Sequence, residues 1–134
     1  MIPTILLIDD NAIQAATRQA IIKRADYFVI AVLSPTRALE QFRNREYPAE
    51  IDLIVTDHVM PGLTGAEFVR KVREFSPDVP ILVISGMEEA EEEYEGLNVH
   101  FRLKPLLPDN LLAIVHQLTH KPEAENPGPA LEAE

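Results

Sequence analysis

The chain has 134 residues, 46% of them hydrophobic: enough for one domain with a buried core, too few for two. It has no cysteine, which excludes disulfides and thiolate chemistry, and no apolar run approaches the length of a membrane span. The formal charge of −10 is localised: ten of 22 acids lie in Glu88–Glu95 or are Glu123, Glu125, Glu132 and Glu134, leaving 12 acids against 12 Lys and Arg, with no basic stripe for nucleic acid.

Taken in chain order, short apolar runs alternate with segments of helical spacing. The first strand, about Ile5–Ile8, runs straight into Asp9 and Asp10 and lacks the basic start of a signal peptide, so a cytoplasmic protein is expected. A helix from about Ala12 to Ala25 follows, then a strand rich in β-branched and aromatic residues, Tyr27–Leu33. Ser34 and Pro35 supply an N-cap and a first-turn proline for a helix to about Arg45. The third strand, Leu53–Thr56, leads into Asp57. Thr64 and Glu67 have capping-box spacing, and Phe68, Val69, Val72 and Phe75 fall on one face of the helix they open. Ile81–Ile84 is the fourth strand, ending at Ser85; a short acidic helix, Glu88–Glu95, stops at Gly96. A brief fifth strand, His100–Leu103, precedes Lys104 and a last helix, Asp109–Leu118. Residues 1–121 read as one domain. From Pro122 the sequence is an acidic, proline-rich tail that cannot bury enough apolar surface to order itself.

Such runs are what buried parallel strands look like, and right-handed crossovers place helices on both faces of the sheet. Ligands bind beyond the carboxyl ends of the strands in open α/β sheets, so polar residues there converge on one crevice. Asp9, Asp10 and Asp57 would meet in it. Two like charges about 4 Å apart repel by roughly 4 kcal/mol at an effective dielectric of about 20, so three carboxylates require protons or a cation. Oxygen-only ligands favour a hard ion, and Mg²⁺ is the common one where phosphate shares the site. Each residue alone has a plainer reading: Asp9-Asp10 as a helix cap, Asp57 and Lys104 as loop charges, Ser85-Gly86 as a turn. The set together is the signal.

Leu6-Leu-Ile-Asp-Asp10, Asp57-His-Val-Met-Pro-Gly62 with Gly65, Val83-Ile-Ser-Gly86 and Phe101-Arg-Leu-Lys-Pro105 occur in this order. Over about residues 3–120 the chain resembles a response-regulator receiver domain, the phosphoacceptor half of two-component signalling. The resemblance implies a flavodoxin-like (βα)5 sandwich with a parallel sheet ordered 2-1-3-4-5. It also implies that Asp57 takes a phosphoryl group from a phosphohistidine on a sensor kinase or phosphotransfer protein. Asp10, Asp57 and the Val59 carbonyl would hold Mg²⁺, with Asp9 assisting. Lys104 would pair with Asp57 and then with the phosphoryl oxygens, before a cis Lys104–Pro105 peptide. Ser85 would donate to the phosphoryl group, and Phe101 would rotate as a switch or serve as plain core. A monomer or weak homodimer acting on a protein target is implied.

The sequence departs from the family's pattern in places. Only 15 residues separate Ser85 from Phe101, so the fourth helix should be short. Its glutamates are either a solvated face or a docking patch for a basic partner. Val59 and Met87 are apolar and cannot orient an attacking water, so self-dephosphorylation should be slow. His58 is expected to be an exposed loop residue. His116 and His120 are too few to hold a metal. Two other function classes fit the sequence less well. A haloacid-dehalogenase-type phosphatase expects Asp-x-Asp after the first strand, where this chain has Asp9-Asp10-Asn11. An unphosphorylated scaffold, or pseudo-receiver, would not need all five key positions filled.

Overall fold

The computed structural model describes residues 2–120; the tail expected from Pro122 lies outside the described residues. Five strands, β1 (Thr4–Ile8), β2 (Phe28–Val32), β3 (Leu53–Asp57), β4 (Ile81–Ser85) and β5 (His100–Leu103), form one sheet. All pair in parallel, in the order β2-β1-β3-β4-β5. The helices are α1 (Ala12–Arg24), α2 (Pro35–Arg43), α3 (Gly65–Phe75) and α4 (Pro108–Thr119), with a 3-10 helix over Glu88–Tyr94. The architecture and strand order are those the resemblance implied.

Every residue of β1, β3 and β4 is buried, as their unbroken apolar runs require, while the edge strands β2 and β5 are partly exposed. Alternation along the strands divides the core in two. Leu6, Ile8, Ile54, Ile81 and Val83 face α2, α3 and the 3-10 helix; Ile5, Leu7, Leu53, Val55, Leu82 and Ile84 face α1 and α4. A Leu or Ile buried this completely contributes about 1.5–3 kcal/mol. That rigid, dry sheet fixes the positions of the residues at its carboxyl edge.

The helix starts follow local chemistry. Ser34 Oγ accepts from Arg37 N at 3.1 Å behind Pro35. Thr64 and Glu67 form the full capping box, at 3.1 and 2.9 Å. Neither Asp9 nor Asp10 caps α1. Asn11 does, its Oδ1 accepting from Gln14 N at 2.9 Å, so the cap reading of the aspartates fails.

Several boundaries differ from expectation. α2 stops at Arg43 because Arg45 adopts a left-handed φ of 57°, a conformation no helix continues through. Phe75 closes α3 at 38% exposure rather than in the core; its ring lies 5.6 Å from Phe42, with the Arg43 guanidinium over it at 5.3 Å. The acidic segment is 3-10 rather than α-helical. Seven residues are too few for a stable α-helix, and glutamates three and four apart repel. It ends before Gly96, whose φ of 81° is the expected stop.

Candidate functional site

Four strand ends supply the pocket. Asp9 follows β1, Asp57 is the last residue of β3, Ser85 the last of β4, and Lys104 follows β5. Asp9, Asp10 and Asp57 each offer a carboxylate oxygen within 4.8 Å of the others. Asp9 and Asp57 are buried and Asp10 is exposed. Donors converge on Asp57. Lys104 Nζ lies 3.1 Å from both of its carboxylate oxygens, His58 N donates to Oδ1 at 3.2 Å, and Gln14 Nε2 to Oδ2 at 3.1 Å. The Lys104–Pro105 peptide is cis, as the resemblance implied.

The remaining expected residues fall around this centre. Ser85 is buried, its Oγ accepting from Met87 N at 3.0 Å, and its carbonyl accepts from Lys104 N at 2.8 Å. Backbone bonding thus ties the hydroxyl-bearing strand to the lysine. Val59 is two residues past Asp57 with its side chain exposed. Phe101 is half-buried and packs 5.8 Å from the ring of Tyr94.

His58 contradicts the sequence reading. It is buried, not exposed, with Nδ1 2.6 Å from the Tyr94 hydroxyl and Nε2 3.6 Å from Glu93 Oε2. Tyr94 reaches it from the 3-10 helix, whose glutamates the sequence left as either a solvated face or a docking patch. Burial, then the charges of Glu93 and Asp57, push the Tyr94 phenol above its ordinary pKa, so it is a neutral donor or acceptor at physiological pH.

Sequence reasoning also passed over Gln14 and Arg18. Arg18 Nη1 lies 3.2 Å from Asp9 Oδ2, and Gln14 Nε2 donates to the same oxygen at 2.6 Å. A signal for Arg18 existed: with Ala15 and Ile22 it lies at three- and four-residue steps on the buried face of α1, where a charge requires a partner.

Residues 5–116 match the model of the response regulator receiver domain. The chain belongs to that family, whose members are signalling domains of two-component systems and bind Mg²⁺ at an acidic pocket. It is 33% identical over 119 residues to the hydrogenase transcriptional regulatory protein HoxA of Cupriavidus necator, matching 85% of this chain and 23% of that protein. It is 31% identical to the two-component response regulator ORR6 of Oryza sativa subsp. japonica, covering 80% of this chain and 65% of that one. The chain therefore spans less than two thirds of either relative, and HoxA's named transcriptional role belongs to the longer protein. A receiver protein from Sinorhizobium medicae superposes with a TM-score of 0.78 at 32% identity, over 90% of this chain and 96% of that one. No helix among the described residues is long and apolar enough to cross a membrane.

Proposed function

We propose that this chain is a working phosphoacceptor: Asp57 receives a phosphoryl group from a partner phosphohistidine, and the change in charge controls a protein target. One observation carries the reading. A buried carboxylate at the end of β3 is gripped by the Lys104 ammonium at 3.1 Å and lies within 4.8 Å of two further carboxylates. A structural ion pair has no need of two more acids beside it. A phosphoryl-transfer site needs both signs of charge.

In the reaction an Asp57 oxygen forms a bond to phosphorus as the phosphorus–nitrogen bond of the donor breaks, and the imidazole leaves with the bonding pair. Asp10, Asp57 and the Val59 carbonyl are the residues that would hold Mg²⁺, with Asp9 behind them. Bound there, the ion would neutralise charge on the transferring group. Lys104 follows the charge from the carboxylate to the phosphoryl oxygens, and Ser85 turns its hydroxyl from Met87 N to one of them. Val59 and Met87 offer no base to a water molecule, which favours a long-lived phosphoprotein.

Four apolar side chains near the pocket suit a partner: Ile13 (81% exposed), Val59 (63%), Leu107 (60%) and Met87 (39%). Each lies within three residues of a pocket residue. With no basic stripe, the chain is read as acting through proteins, in the cytoplasm, rather than on DNA directly. The test is incubation with acetyl phosphate and Mg²⁺. One phosphoryl group should add by intact mass to the wild type and none to Asp57→Asn. A wild type that stays unmodified, or a variant that gains the same mass, rules the reading out.

A further inference from the structure

Asp9 is as heavily committed as Asp57, each accepting from three donors. Its Oδ1 accepts from Asn11 N at 3.0 Å, while Oδ2 accepts from Gln14 Nε2 at 2.6 Å and from Arg18 Nη1 at 3.2 Å. The same Gln14 nitrogen donates to Asp57 Oδ2 at 3.1 Å. Gln14 and Arg18 stand four residues apart on α1 and so share one face. A single primary amide thus uses its two hydrogens to hold together two carboxylates that would otherwise repel. The Arg18 guanidinium, with a side chain only 10% exposed, supplies the compensating charge.

This has a consequence for a cation. Paired with Lys104 and Arg18, the three aspartates leave the pocket one net negative charge rather than three. Each carboxylate has about four acceptor positions, and those facing each other on Asp9 and Asp57 are engaged by one donor. A divalent ion drawn to the same oxygens competes with that donor directly. We infer that Gln14 sets the threshold for metal binding: with Arg18 it forms an internal counter-cation whose amide the ion must displace. Helix α1, and not the carboxylates alone, then determines how tightly Mg²⁺ is held. Asp9 is the anchor of this device, leaving exposed Asp10 and Asp57 to ligate. The inference rests on the reading above that the pocket takes Mg²⁺, but it assigns control of that step to residues outside the acidic set.

Mg²⁺ binding to the full chain, followed by calorimetry without any phosphoryl donor, tests it. Gln14→Ala and Gln14→Met both remove the amide, and the second keeps the side-chain volume should the first perturb α1. Two hydrogen bonds need no longer be broken, so each variant should bind Mg²⁺ roughly 5- to 150-fold more tightly than wild type. Wild type that binds Mg²⁺ alongside variants that bind it equally or more weakly overturns the inference and leaves the site reading standing. Absence of binding in wild type and both variants overturns the two together. Binding by the variants alone is the expected result in its strongest form.

Discussion

Gly65 is dictated by crowding rather than by its dihedral angles. A Cβ at this position would collide with the Tyr94 hydroxyl, lie 2.6 Å from the Asp57 carbonyl oxygen and 3.0 Å from His58 Cα. Two of those neighbours are backbone atoms that cannot swing aside, and Gly65 N is itself bonded to the His58 carbonyl at 2.7 Å. Gly65→Ala should therefore cost about 1–3 kcal/mol, read as a lower urea midpoint with unchanged slope. A loss below about 0.5 kcal/mol would show that the loop yields. At this scale the sequence was legible where a residue's position depends on its own strand: Asp9, Asp57, Ser85 and Lys104 all stand where their apolar runs placed them. It was illegible where a role depends on a distant partner. Burial of His58 is set by Tyr94, and Gln14 meets Asp57 only once β1 and β3 are paired.

Among the elements, the 3-10 helix shows the same division. Its brevity and its stop at Gly96 could be read from spacing and composition. Its attachments could not, because they are made by basic residues of α3. Arg70 Nη2 donates to the Glu93 carbonyl at 3.2 Å, and Arg73 reaches the Leu97 and Asn98 carbonyls, in the loop that follows, at 2.8 and 2.9 Å. These bonds hold an acidic segment against a helix without using its carboxylates. Tyr94 completes the attachment by placing a polar atom beside buried His58. Tyr94→Phe leaves Nδ1 of His58 without its 2.6 Å partner and should destabilise the fold by about 1–3 kcal/mol in urea. A neutral substitution would mean that the imidazole finds another partner there.

For the molecule as a whole, the core under α2, α3 and the 3-10 helix responds to pH through its phenols, Tyr47 and Tyr94. Burial, with Glu46 adding to it, raises Tyr47 from 10.0 to about 12, and Tyr94 moves in the same direction. Both groups hold their protons more tightly folded than unfolded. Their contribution is therefore complete below pH 10 and is lost as pH rises from 10 through about 12. Urea midpoints should fall across that window, and Tyr47→Phe should flatten the fall; identical profiles would remove Tyr47 from the account. The contact between Tyr94 and His58 also matters for light. With no tryptophan and three tyrosines in the chain, ultraviolet emission arises from Tyr27, Tyr47 and Tyr94 alone. Of these, only Tyr94 touches the neighbour of Asp57, and an excited phenol bonded to an imidazole loses its energy by giving up a proton. With Tyr27 and Tyr47 replaced by phenylalanine, the protein would carry one native fluorophore, and its brightness would report the integrity of the loop beside Asp57 without any attached dye.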